Sequence, residues 1–448
     1  MADAEYQTEG DVNTSPLRKR WQAEHLGVAS AALLRRDEAV FLRQSLSTPC
    51  LNAVAAADGI YIEDADGRRY MDFHGNDAHQ VGYRNPYVLA ALRRQLEELP
   101  FAPRRYTCEA AVRLAEKLSA LWPGGGAKVL FAPGGAEAVS MALKLARKAT
   151  GRYKTVSLWD SFHGATLDAI SVGGERGFRS GIGPLMPGDN HVMPYNSYRC
   201  VFGDCKSCGL KCLRYLDYVL EMEGDVGAVL LEPIRATDVQ IPPKEYFARL
   251  RETCTRHGAL LIFDEIPTAL GRTGTMFPHE HFGVAPDMVV LGKGLGGAAV
   301  PMAALLVDGG LDCAGGLSLG HFTFEKSALG AAAGLAVIEC IEKEGLLERT
   351  RALGGLFAER LRSLKAKYDV VGDVRSIGLL GCVELVTDRA TKRKAAAQAE
   401  RVLYRCLSDG LSFKLSHGNC VTLAPPLIIT EQELTRALDI LENAVAAL

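Results

Sequence analysis

Between Lys128 and Asp308 the chain repeats one pattern: a short apolar run, a helical or glycine-rich stretch, then another short apolar run. KVLFAP, KTVSLW, VGAVLLEP, ALLIFDE, DMVVLGK and MAALLVD are too short for core helices and rich in Val, Ile and Leu, so they read as buried strands. Amphipathic periods over Glu137–Ala149 and Tyr246–His257 read as helices between them. This alternation leaves few folds open. It predicts an α/β protein with a mostly parallel, doubly wound sheet covered by helices. Ligands of such sheets sit beyond the C-terminal ends of the strands. The residues that end each run are therefore the candidates for chemistry.

The flanks read differently. A polar tail leads into a helical arm around Ala29–Leu42, and GIYIEDADGRRYMDF alternates about an Asp66-Gly67 turn, as a hairpin does. Helical periods cover Val88–Leu99, Glu109–Leu121 and much of Ser327–Lys367. The last third adds hairpin-like strands in VVGDVRSIGLLGCVELV, a helix over Ala395–Asp409, a strand pair around Leu415–Leu423 and a final helix, an α+β pattern.

Bulk properties exclude several functions. With 51 Lys and Arg against 53 Asp and Glu, the net charge of −2 offers no electrostatic footprint for nucleic acid or a membrane surface. No apolar run approaches the roughly 20 residues that span a bilayer, and the polar N-terminus lacks a secretory h-region, so a cytoplasmic protein is expected. Twelve cysteines then read as reduced thiols, with Cys254, Cys340 and Cys382 as small core residues. Cys200, Cys205, Cys208 and Cys212, spaced C-x4-C-x2-C-x3-C, could hold zinc or an iron–sulfur cluster. A cysteine-rich surface loop fits as well, because the spacing is irregular for a zinc ribbon and no His lies inside it. No metal is assigned to the chemistry.

Four features converge on the strand ends. KVLFAP runs into Pro133-Gly134-Gly135-Ala136 and a helix, where free N–H groups can meet a phosphate; a glycine turn alone needs no ligand. KTVSLW leads to Phe162-His163-Gly164, whose aromatic could stack on a flat ring or fill the core. ALLIFDE ends in Asp264-Glu265, and a carboxylate there needs a cation such as a protonated pyridine nitrogen, unless it caps a turn. DMVVLG delivers Lys293 among glycines, where partial burial would lower its pKa as an imine-forming amine requires. Each is modest alone. Their order on successive strands makes the combination specific.

At these residues the chain resembles the class III aminotransferases, pyridoxal-phosphate enzymes of fold type I. ALKLARKATGR, SFHGATLDAISVGG, LIFDEI with LGRTGTMF, PDMVVLGKGLGG, GDVRSIGLLGCVEL and LAPPLIITEQEL carry the likeness, which runs from about Leu51 to the end. The resemblance implies a homodimer with shared active sites, an N-terminal arm and hairpin over 1–75, a large cofactor domain over 76–325 and a small α+β domain over 326–448. It implies that Lys293 is the Schiff-base lysine and general base, and that Asp264 pairs with the pyridinium. Ile266 is expected behind the ring and Phe162 in front, with His163 beside it. The Gly134-Gly135-Ala136 turn is expected at the phosphate, Thr323 reaching it from the partner subunit, and Glu232 matches an active-site glutamate.

Three departures bear on the substrate. Pro267 stands where the family usually has a Gln that bonds the cofactor's ring oxygen, and the phosphate turn lacks its usual hydroxyls. Thr422, before the PPL motif, stands where members acting on α-amino acids often carry an Arg that grips the carboxylate. Arg104, Arg105, Arg235 and Lys414 remain as candidate anion binders, each equally at home as a solvated surface charge. His74, Asn76 and His79 suggest a polar substrate pocket, a metal pair being the other reading of their spacing. Several stretches, among them TEGDVNTSP, QSLSTPCL, DFHGNDAHQVGY, FAPRRYT and LSFKLSHGN, resemble a lyase branch of the family acting on a hydroxylated aminoethylphosphonate. That implies a small amine substrate, elimination and release of ammonia. A transaminase passing an amino group from an amine or ω-amino acid to a keto acid is the alternative, and a cofactor-binding protein without activity is a third reading.

Overall fold

The structure, a computed structural model, describes residues 15–44, 47–123 and 125–448. The polar tail before residue 15, with most of TEGDVNTSP and part of QSLSTPCL, lies outside these residues. The chain forms two compact units. The larger spans Pro86–Ala236 and Gln240–Leu347; the smaller takes the residues up to Asn85, Thr237–Val239 and Glu348–Leu448. The division thus falls after Leu347, whereas the C-terminal domain was expected from 326. The helix Ala328–Lys343 carries Ala and Gly on nearly every side, and this lets it pack tightly on the helices Pro86–Glu98 and Glu109–Leu121 of the larger unit.

Seven strands build the larger unit: β1 (Lys128–Ala132), β2 (Lys154–Leu158), β3 (Asp189–Val192), β4 (Val226–Leu231), β5 (Leu260–Asp264), β6 (Met288–Leu291) and β7 (Ala303–Val307). Their spatial order is β1-β7-β6-β5-β4-β2-β3. The five strands from β6 to β3 run parallel, while β7 is antiparallel to both its neighbours. The expected strands are all present. β3, whose DNHV has no apolar run to announce it, is an addition. Every residue of β4, β6 and β7 is buried, as both faces of a helix-covered sheet require, and hence these runs are apolar without alternation. The helix Gly135–Thr150 packs over the sheet through Ala138, Val139, Met141, Ala142, Leu145 and Ala146. Gly151, at φ 68, ends it with an N–H donated to the Arg147 carbonyl, a left-handed cap that glycine adopts without steric cost.

The smaller unit has two sheets. One carries the hairpin Tyr61–Asp64 and Arg69–Asp72, with Tyr61 opposite Met71 and Gly67 at φ 83 in the turn, and adds Val54–Asp58 and Leu411–Ser412 at its edges. Asp66, at the hairpin tip, accepts from the backbone N–H groups of Gly27, Ala29 and Ser30 and so caps the arm helix Val28–Val40 from a distance. The other sheet follows Val371–Ile377, Leu380–Asp388, Cys420–Leu423 and Lys414–Ser416. Among the described residues, no helix is long and apolar enough to cross a membrane.

Candidate active site

β1, β2, β4, β5 and β6 end along the same edge of the large sheet, and the candidate residues follow those ends. Asp264 closes β5 and is 2% exposed. One carboxylate oxygen meets His163 Nδ1 at 2.8 Å, and the other accepts from the Ile266 N–H at 3.1 Å. His163 follows β2 and is itself buried, so the pair fixes the carboxylate and leaves lone pairs for one more donor. Its Nε2 is buried without a hydrogen-bond partner among the described residues. The orienting role of His163 was not legible in its position beside an aromatic. It depends on two loops meeting.

Ile266 lies between two glycines. A Cβ on Gly135 would stand 2.6 Å from Ile266 Cδ1, and one on Gly292 would stand 3.3 Å from Cγ2. A Cβ on Gly164 would meet the Ala136 methyl at 2.6 Å. The turn at the start of Gly135–Thr150, the His163 loop, the Ile266 loop and the Lys293 loop are thus closely packed, with the Ile266 side chain and the Ala136 methyl at the contacts. Gly134, the N-cap, offers no side-chain acceptor, so the first N–H groups of this helix remain available to an anion at the positive end of the dipole. Phe162 is half-buried, with its ring 4.6 Å from that of Phe178.

Lys293 has φ 44, a left-handed conformation that costs a non-glycine residue roughly 1–3 kcal/mol and that clusters at functional sites. Its side chain is exposed in the single chain, not partly buried as expected, because Gly292 and Gly294 place nothing over it. Glu232, directly after β4, is 8% exposed and one oxygen accepts from the Ala236 N–H at 3.1 Å. Burial, reinforced by the Asp264 charge, pushes its carboxyl up to about 7. Glu265 points away from this group. It is fully buried against His279, whose Nδ1 and backbone N–H meet one oxygen at 2.8 and 3.0 Å. Burial raises the Glu265 pKa, and the Glu265 charge raises that of His279 against the opposing effect of burial. Nothing in PHEH announced a partner for Glu265.

The other candidates are dispersed. Arg104 and Arg105 are exposed, and Arg104 donates to His321 Nε2 at 2.7 Å. Thr323 is exposed. Arg235 is buried, its backbone paired with Gln240 in an isolated bridge. His74, Asn76 and Lys414 belong to the smaller unit. So does His79, whose Nε2 meets the Asp72 carbonyl at 3.0 Å and whose ring lies 5.4 Å from Tyr83, a packing role instead of a pocket wall. Thr422 is 7% exposed and donates to the Thr237 carbonyl at 2.6 Å. Pro267 is buried. Cys200, Cys205 and Cys208 are brought together, with Cys212 buried in the next helix.

These residues fit pyridoxal phosphate. A buried carboxylate with an unused lone pair suits a pyridinium nitrogen, unblocked helix N–H groups suit its phosphate, and the Ile266 side chain, held between Gly135 and Gly292, offers an apolar surface to a flat ring. Lys293, just beyond the end of β6, supplies an exposed amine.

Comparisons with known proteins point the same way. The family model described as "Aminotransferase class-III" matches residues 43–445. The (R)-1-hydroxy-2-aminoethylphosphonate ammonia-lyase of Vibrio splendidus (strain 12B01) is 50% identical over 98% of this chain and 95% of its own. A leucine/methionine racemase of Thermococcus litoralis is 36% identical over 92% of this chain and 95% of its own. Among solved structures, an amine transaminase from an uncultivated Pseudomonas species, in a PLP-bound form, superposes with a TM-score of 0.86 at 31% identity, covering 91% of this chain and 98% of that one. A lyase, a racemase and a transaminase thus share one scaffold.

Proposed function

This chain belongs to the class III aminotransferase family and is a pyridoxal-phosphate-dependent enzyme, and from that premise we propose that it is an ammonia-lyase converting (R)-1-hydroxy-2-aminoethylphosphonate to phosphonoacetaldehyde and ammonia. The likeness to the Vibrio enzyme, half of all residues over nearly the whole chain, carries this reading. Thr422 supports it. A buried hydroxyl already spent on the Thr237 carbonyl is no fork for an α-carboxylate, and a substrate with a phosphonate in place of that carboxylate does not need one.

Pyridoxal phosphate, when bound, supplies an electron-accepting ring. The protein's part is to position and to move protons. The N–H groups of Gly135 and Ala136, after Gly134, would hold its phosphate, and Phe162 and Ile266 would offer apolar surfaces to its ring. Asp264, steered by His163, would set a negative charge against its ring nitrogen. The Lys293 amine takes the proton from the amine-bearing carbon. Glu232 holds a proton near neutral pH and passes it to the departing hydroxyl. Water leaves from one carbon and is returned at the other, where ammonia departs, so atoms balance with no keto acid. Arg104, Arg105 and Arg235, all in the larger unit, are the basic residues from which a phosphonate clamp is drawn. The enzyme acts as a cytoplasmic homodimer in which Thr323 of one subunit serves the other's phosphate site.

The test is turnover of the purified holoenzyme on (R)-1-hydroxy-2-aminoethylphosphonate with and without pyruvate, following ammonia and aldehyde. Stoichiometric release of both without pyruvate is expected. A strict requirement for pyruvate, with alanine as product, would instead mark the transaminase represented among the solved structures.

A further inference from the structure

The loop between β3 and the helix Lys211–Glu223 serves none of this chemistry. It is long and irregular, and ordered loops of more than about 12–15 residues in a compact unit need something to hold them. Its cysteines are placed to do so. The sulfurs of Cys200, Cys205 and Cys208 lie within 4.8 Å of one another although the residues are spread over the loop. Cys200 and Cys205 are half-buried and Cys208 is buried. Cys212 follows in the first turn of the helix and is also buried.

The backbone around them is tightly turned. Gly209 at φ 63 and Leu210 at φ 57 fold the chain back after Cys208, whose sulfur meets the Cys205 carbonyl at 3.5 Å. Asp204, the one carboxylate within the loop, is turned onto its own backbone, accepting from the Lys206 N–H at 3.1 Å and the Ser207 hydroxyl at 3.1 Å.

We propose that Cys200, Cys205, Cys208 and Cys212 bind one structural zinc ion that pins this loop to the helix. Soft thiolates without histidine or carboxylate select zinc over hard cations, and four of them close the tetrahedron and leave no position for chemistry. Zn–S bonds of about 2.3 Å hold sulfurs a little under 4 Å apart, the scale of the observed cluster. An iron–sulfur cluster interposes its own atoms and would keep the thiols farther apart. A single disulfide would leave the third member of the trio buried beside it to no purpose.

The experiment is metal analysis of the full-length holoenzyme, purified without a metal-affinity resin from cells supplied with zinc. About one zinc per chain is expected, released when a mercurial titrates the thiols. The variant Cys205→Ser with Cys208→Ser should lose the zinc and melt at a lower temperature while keeping the cofactor's absorbance. Should that variant fail to fold, cobalt-substituted wild-type protein gives the answer through its sulfur-to-cobalt charge-transfer band. Zinc below about a tenth of an equivalent, iron with labile sulfide, or a disulfide among these cysteines in mass mapping would each overturn the proposal. None of these readouts depends on the reaction the enzyme catalyses.

Discussion

Two buried charge clusters, one in each unit, are built from similar parts and end differently. In the smaller unit Arg375 bonds Asp373 at 2.8 Å and Glu384 at 2.9 Å, gives its Nε to the Asp238 carbonyl at 2.9 Å, and reaches the Cys382 sulfur across the strand pair at 3.4 Å. Its fork is spent and each charge is answered. In the larger unit Asp264 has His163 and one backbone N–H, Glu232 has one backbone N–H, and the Asp264 charge adds to burial in raising the Glu232 carboxyl. A closed cluster can only hold the fold together. An open one waits for a cation, and its strand-end position faces where a ligand binds. Burial alone does not distinguish the two; unanswered valence does.

The sharpest way to break this contrast is Lys293→Ala. Removing the amine beside the open cluster should lower ammonia release about 10⁴-fold while leaving the melting temperature of the apoprotein near wild type. Activity within tenfold of wild type would mean that the proton is taken elsewhere. Arg375→Ala should do the reverse. Two carboxylates left facing each other in a buried site cost about 3–5 kcal/mol, which denaturant unfolding would read as a lowered midpoint, with turnover per folded molecule little changed. If Arg375→Ala abolished turnover at full stability, the closed cluster would be part of the chemistry and the comparison would fail.

The open cluster was the more legible of the two from sequence. A carboxylate and an amine at the ends of buried apolar strands contradict their surroundings, and the contradiction is visible in ALLIFDE and DMVVLGK. Arg375 in GDVRSIG sits in an alternating strand, where an Arg reads as solvent-facing. Only the pairing register, with Arg375 opposite Cys382, shows that it faces inward. The same limit hid β3 and the Glu265–His279 pair, because both depend on contacts between segments distant in sequence. The helix Ala328–Lys343, small and apolar along most of its length, likewise gives no sign in its sequence of which unit it packs in. Lys293 erred in the other direction: an apolar strand before it suggested cover that the glycines around it do not give.

The gentlest test separates the two carboxylates within the open cluster. Glu232 titrates at about 7 because burial and the Asp264 charge raise it. A carboxyl raised above its unfolded value of about 4.3 contributes no penalty while protonated in both states, and the folded state loses ground as pH rises from there through about 7. Glu232→Gln, neutral throughout, should therefore gain stability relative to wild type across that window and keep a constant lead above it. Its turnover should fall about 10²-fold at neutral pH, and the alkaline decline of the wild-type rate beginning near 7 should vanish from its pH profile. A profile that keeps that decline would assign the titrating group elsewhere, and Glu232 would then belong with Arg375 among charges that serve only the fold.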